Sequence, residues 1–398
     1  MTRRRFLSTA LRRLGTLGSL PLFGMLEGVA WAAASPAIEV ASPYHNLLVL
    51  IELKGANDGL NTVIPYANPV YAQLRPRIGI SRDQVLQLTD QEGLHPALQP
   101  LMALWQSNEL AIVQGLGYPN PNQSHFRSIE IWDTASKSDE YLDAGWLARV
   151  FAQTPPPRQF AADGVVVGSS DMGPLSGQGV RTIALADTAQ FLRNAKLALP
   201  GSDERNAALK HILGVENEII HAAGKLNTNR VFSTAFPRTG FGNQVRTAAQ
   251  LVASNAGMAT VRLTLSGFDT HAAQSGTQAN LLKEMAEGIS ALKSALLELN
   301  RWDSTLVMTY SEFGRRPKEN QSGGTDHGTA NSHFVTGGKV RGGVYGKAPA
   351  LNGLDGNGNL PFAVDFRSMY ATVIDKWWRL DSGKILQGKF APLDWLSS

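Results

Sequence analysis

Four short segments hold the side chains in this chain best placed to bind a metal or move a proton. One carries Asn57 and Asp58, a second Ser124 and His125, a third Asp269 and His271. The fourth carries Arg315, then Asp326, His327 and, six residues on, His333. Imidazole with carboxylate suits zinc, manganese or iron better than calcium. The pairs Asp269/His271 and Asp326/His327 could hold one ion or two, and a two-metal arrangement stabilises both oxygens of a phosphoryl-type displacement. The chain has no cysteine, so a thiolate ligand, a thiolate nucleophile and a disulfide are all excluded.

Each residue also has a plainer reading. A loop histidine is commonly a solvated side chain, and Asp before Gly is commonly a turn residue. What favours a site is joint placement: of eight histidines, four (His125, His271, His327 and His333) fall in these segments. His45 and His95 have no such context, and His211 and His221 sit on an amphipathic stretch. Ser124 opens a helix, where free N–H groups favour an anion. It is either a nucleophile or an N-cap, and Asn122 is also available as the cap. Arg315 either clamps an anionic group or pairs with Glu312 or Glu319. Asn57 either orients a ligand or shapes a turn. His333 begins a further strand and points either into the site or into the sheet.

The elements that must position these residues are legible as apolar runs. Residues 46–53, 110–113, 164–167, 260–265 and 305–308 are continuous and of strand length, as in strands buried on both faces of a parallel sheet. Helical patterns lie between them at 96–105, 125–132, 203–224, 241–257, 279–300 and 366–380. In the 279–300 stretch Leu281, Leu282, Met285, Ile289, Leu292, Leu296 and Leu299 fall on one side. Alternation of this kind predicts an α/β fold with a mostly parallel sheet. The four chemical segments each follow a strand, at the sheet edge where such folds bind ligands. Stretches 154–182 and 336–362 are rich in Gly and small residues and are expected to be loop-rich, the second with a hairpin.

Residues 1–34 are expected to be a twin-arginine export signal: Thr2-Arg3-Arg4-Arg5-Phe6-Leu7, a Gly-broken apolar stretch, then Ala30-Trp31-Ala32-Ala33-Ala34. Residues 35–45 read as a linker, and 46–398 as a single domain. The whole chain has 37 basic and 33 acidic residues, of which the first 34 positions hold five Arg and one Glu. That leaves 32 of each sign, so the remainder has no basic excess of the kind nucleic acid demands. No run is long and apolar enough to span a bilayer stably. The expected location is periplasmic or secreted, with the twin-arginine translocase as a partner during export.

In combination and order the segments resemble the exported DUF1501 family, related to the alkaline phosphatase/sulfatase superfamily. The motifs are Gly55–Thr62, Ser124-His125-Phe126 with Trp132, Gly267–His271, Ser311–Arg315, Gly324–Gly328 and Asp365-Phe366-Arg367, over roughly 46–380. The resemblance implies a three-layer α/β/α sandwich, alkaline-phosphatase-like, that hydrolyses or transfers phosphate or sulfate esters of a small molecule or glycan. It implies metal ligands at Asp58, Asp269, His271, Asp326 and His327 and a nucleophile at Ser124; in a hydrolase of this kind His125 or His333 is expected to assist proton transfer. Two features depart from the superfamily pattern. Asp269 and His271 are only one residue apart, and Asp58 lies several residues beyond the first strand. A Cys-derived formylglycine sulfatase is excluded. A protein that keeps the fold and binds a metal or glycan without turnover is the alternative reading.

Overall fold

The computed structural model describes residues 42–185 and 230–396. The expected export signal and the amphipathic stretch with His211 and His221 lie outside the described residues. The last part of the expected linker does not behave as one. Tyr44 is buried, with its ring edge-on to Phe151 and Trp378 at 5.5 Å, so the chain is already packed at that position.

Nine strands form the main sheet. β1 (Leu47–Lys54) is central, flanked by β8 (Thr260–Ser266) and β9 (Thr305–Tyr310). Beyond β8 lie β6 (Gly164–Val167) and β7 (Thr182–Leu185). Beyond β9 lie β12 (Asn331–Gly337) and β5 (Leu110–Gly117), and β13 (Gly343–Gly346) and β14 (Val364–Asp365) pair with β5 in turn. Every pairing is parallel except those of β12, which runs opposite to both its neighbours. Two small sheets stand apart: β2 (Val63–Ile64) with β3 (Leu86–Gln87) and β4 (Gly93–Leu94), and the hairpin of β10 (Arg315–Glu319) with β11 (Thr325–His327).

β1 shows why the sheet is interior. Its odd positions Leu47, Val49, Ile51 and Leu53 pack into one apolar cluster. Its even positions Leu48 and Leu50 pack into another on the opposite face. Strands with two apolar faces must be covered on both sides. The Gly240–Ala253 and Gln274–Glu298 helices cover the first face, through Phe241, Val245, Leu282, Met285, Ile289 and Leu292. The His125–Thr134, Trp146–Gln153 and Arg367–Thr372 helices cover the second, where Trp132 stacks on Phe366 with ring centroids 4.2 Å apart. The result is a three-layer α/β/α sandwich.

Three expectations differ in detail. The 96–105 helix is a 3-10 stretch, Pro96–Leu101, running into a short α-helix, Met102–Gln106; Pro100 lacks the N–H an α-helix needs there. The 366–380 pattern is α-helical only to Thr372 and continues as a π-turn, Val373–Trp377. No hairpin forms in 336–362: Gly343–Gly346 instead adds to the sheet edge parallel to β5.

Candidate metal centre

Register brings the loops of the site together. Lys54 lies beside Ser266, and Glu52 beside Tyr310, so β1, β8 and β9 end side by side. Gly55 lets the β1 and β8 loops touch. Its φ is +110°, and a Cβ there would stand 2.5 Å from the Asp269 amide nitrogen. Arg315 ties the loops into one body. Its fully buried guanidinium donates to the carbonyls of Gly55 (2.6 Å), Ala56 (2.8 Å), Phe268 (3.1 Å) and Thr325 (3.1 Å), and to Asp269 Oδ1 at 2.5 Å.

Four side chains converge on this edge. His125 heads the helix that follows β5, His327 ends β11, and Asp269 and His271 lie in the loop after β8. The Nε2 atoms of His125 and His327 are 3.0 Å apart, as are those of His271 and His327. Asp269 Oδ1 lies 3.0 Å from His271 Nε2, 3.4 Å from His125 Nε2 and 3.5 Å from His327 Nε2. The ligand atoms of His125, Asp269 and His327 all fall within 4.8 Å of one another.

The outer nitrogens fix the tautomers. His125 Nδ1 lies 2.7 Å from Glu312 Oε1, and His327 Nδ1 lies 2.8 Å from the Gln123 carbonyl. A carbonyl and an ionised carboxylate only accept, so in the neutral imidazoles the proton sits on Nδ1 and the Nε2 lone pair faces inward. Two lone pairs at hydrogen-bond distance repel unless a cation lies between them. With Asp269 and His271 beside them there are more acceptors than one proton can serve. Four donors around zinc at about 2.0–2.1 Å would be roughly 3.3 Å apart, close to the spacings found. The donor set therefore fits a divalent ion, held by His125, Asp269 and His327, with His271 alongside. Glu312 and the Gln123 carbonyl orient the rings from behind, the usual second layer of a metal site.

The electrostatics follow. The Glu312 hydrogen bond lifts His125 above the ordinary imidazole range, against burial and the Arg315 charge. Burial works to raise Glu312, but hydrogen bonds from His125, its own backbone and Ser311 leave it below the usual carboxylate range. Burial also works to raise Asp269, and the Arg315 hydrogen bond and charge, with His125 and His271, pull it below. His327 is held down, first by burial, then by the nearby cations, against the Gln123 carbonyl. The Phe313 ring backs the cluster, 4.9 Å from both His125 and His327.

Several residues expected at the site are placed elsewhere. Asp58 is buried, paired with both Arg75 amino groups (2.5 and 2.9 Å) and hydrogen-bonded by Gln274 (2.5 Å) and the Leu60 amide (3.2 Å). Both its oxygens are taken by donors, which removes it as a metal ligand. His333 is fully buried within β12, edge-on to Trp132 at 5.5 Å, so it is neither a ligand nor a proton carrier for this cluster. Arg315 has no free donor for a substrate anion, because the protein's own carbonyls, Asp269 and His271 Nε2 (3.4 Å) take them. Asn57 is buried, hydrogen-bonded to Thr62 at 2.9 Å, and shapes the turn. Asp326 is exposed, its Oδ1 3.6 Å from His271 Nδ1, behind that ring rather than at the cluster. Ser124 occupies the N-cap position without a side-chain cap bond; Asn122 Oδ1 takes the Ser124 amide at 2.8 Å instead. Its exposed hydroxyl stands next in chain to His125.

Glu312 was in view only as a partner for Arg315, and its contact with His125 had no signal in spacing. Gln123 contributes a backbone oxygen, which no side-chain motif reveals. The outward turn of His327 depends on the β10–β11 hairpin, where Gly324 lets the chain cross His271: a Cβ there would meet the His271 carbonyl carbon at 2.3 Å.

A family model described as a protein of unknown function (DUF1501) matches residues 92–390. Among solved structures, a protein in the alkaline phosphatase superfamily from Vibrio parahaemolyticus aligns at 11% identity and a TM-score of 0.43, covering 88% of this chain and 70% of that one. A phosphonate monoester hydrolase from Silicibacter pomeroyi aligns at 11% identity and 0.42, covering 88% and 78%. A zinc complex of the C-terminal periplasmic domain of EcEptC from Escherichia coli aligns at 8% identity and 0.37, covering 74% and 73%. No curated protein matches the chain in sequence.

Proposed function

The chain belongs to the DUF1501 family, and we propose that it is an exported, metal-dependent hydrolase of a phosphate or sulfate ester. The observation that carries this is the pair of inward Nε2 lone pairs of His125 and His327, 3.0 Å apart beside the Asp269 carboxylate. A divalent ion bound there supplies Lewis-acid charge for an anionic ester oxygen. His125, His327 and Asp269 hold that charge at the strand ends, with His271 beside them. Glu312 and the Gln123 carbonyl keep the two imidazoles in the ligating tautomer. Phe313 closes the back of the centre to water. Ser124, exposed and free of capping duty, offers the hydroxyl for attack on phosphorus or sulfur. Lys54, exposed at the end of β1 and without an ion-pair partner among the described residues, is available to an anionic substrate in place of Arg315. The Arg3–Arg4–Arg5 segment supports export by the twin-arginine route to the periplasm or beyond. Among the described residues no helix is long and apolar enough to cross a membrane.

The second reading is metal binding without turnover. What favours it is Arg315, whose donors are all held within the protein. Purified protein is to be analysed for metal and assayed on aryl phosphates and aryl sulfates with zinc and manganese. Turnover that Ser124→Ala and His327→Ala both remove supports the hydrolase. Bound metal with no turnover selects the second reading, and neither metal nor turnover overturns both.

A further inference from the structure

A cavity of about 380 Å³ opens between the carboxyl end of β5, the amino end of β12 and the 347–350 and 360–363 segments, and no residue of the His125–His327 cluster lines it. Leu60, Val63, Ala330, Leu360, Phe362 and Ala363 make its walls apolar. Gly115 keeps one wall thin: its φ is +70°, and a Cβ there would press on Ala363 Cβ at 3.0 Å. Two polar groups in the lining lack partners among the described residues. The Ser332 hydroxyl makes no hydrogen bond with the described residues, and its oxygen is open to solvent. Lys347, an exposed residue of the lining, has no ion-pair partner among the described residues, and no acidic residue lines the cavity. Asn331, also in the lining, is already satisfied: its amide donates to the Asn57 and Phe313 carbonyls and its oxygen accepts from the Ser332 amide.

A hydroxyl left free in a cavity lining is available to a ligand or to water. Apolar walls of this size with one or two fixed polar groups are what a small-molecule pocket presents. The charge is of one sign only. We infer that this cavity is a binding site for a small apolar molecule ending in a single anionic group, with the body against Leu60, Val63 and Phe362, a polar atom on Ser332 and the anion on Lys347. The site is separate from the metal centre and holds whether or not that centre is catalytic.

The test uses two dyes of similar shape and the full chain. 8-Anilinonaphthalene-1-sulfonate carries the anion, and N-phenyl-1-naphthylamine lacks it. Wild-type protein is expected to bind both saturably at one site, with or without a chelator present. Lys347→Gln should weaken the sulfonate about fivefold, the size of one partly exposed charge contact, and leave the neutral dye unchanged. Ala348→Trp, at an exposed position on the rim, should fill the mouth and remove both; Ala350→Trp is the second filling variant should the first melt early. Three results would overturn the site: no saturable binding, binding that survives both filling variants, or a Lys347→Gln variant that affects neither dye or both alike. Loss of dye binding on chelation would place it at the metal centre instead, also against the inference.

Discussion

The imidazoles of His125 and His327 face each other Nε2 to Nε2 across 3.0 Å, each with its Nδ1 already held by an acceptor. Either a proton on His125 Nε2 or a bound cation must lie between them, and with Asp269 and His271 alongside the donor set suits a divalent ion. Zinc or manganese is therefore expected to raise the melting temperature, by about 4 kcal/mol of stability when free metal exceeds its Kd a thousandfold. His327→Ala should abolish the increment. Differential scanning calorimetry with and without a chelator measures it, and equal melting temperatures in both would count against the centre.

Glu312 would act on a bound ion through His125, to which it is bonded at 2.7 Å, while also accepting from the Gly55 amide at 3.0 Å. Glu312→Gln keeps the shape and one acceptor but loses the charge that favours Nδ1–H. Metal affinity should fall by about ten- to a hundredfold, the usual effect of such outer partners. Competition against a chromophoric chelator reads it directly; an unchanged Kd would mean that Glu312 only positions the Gly55 loop.

The sheet was legible because β1 and β5 are apolar on both faces, and β8 and β9 are buried runs of strand length, as in a covered parallel sheet. Their ends located His125, Asp269, His271 and His327, since a chain leaving a strand must expose its next residues at that edge. Asp58 follows the same rule and misled. Its capture depends on Arg75, at the end of a short helix, and on Gln274 and Gln278, at the start of a helix more than two hundred residues on. No local pattern encodes such meetings. His333 was open for a related reason: alternation along β12 does not say which face the packing of Trp132 will claim. The β10–β11 hairpin hid in a Gly-rich segment with little strand propensity, held instead by Glu319 accepting from Arg77 and the Ile78 amide.

Asp58 and Arg75 make a fully buried ion pair. Removing one partner leaves the other charged and dry, which typically costs about 3–5 kcal/mol. Asp58→Ala should thus lower the urea midpoint sharply in metal-free protein while leaving metal stoichiometry unchanged. A variant of wild-type stability that fails to bind metal would return Asp58 to the ligand set.

Acid should destabilise the protein through two histidines far from the cluster ligands. Burial alone lowers His333 to about 3, and burial, opposed by the Asp58 charge, lowers His95 to about 4. Unfolded histidine titrates near 6.5. Above that value neither state binds these protons, and the contribution is fully present. As pH falls below it, the unfolded chain takes up protons that the folded protein refuses, so stability is lost until the folded values are reached. The slope is about 1.4 kcal/mol per pH unit for each group, or about 2.7 kcal/mol each by pH 4.5. His95→Asn keeps the acceptor that caps the Ala97 amide, and His333→Gln removes the second titration. Urea unfolding of chelator-treated protein between pH 7 and 4.5 should show each variant losing about half of the slope that His95 and His333 together supply, whatever its absolute stability. Variants that keep the full wild-type slope would assign the acid sensitivity to the carboxylates instead.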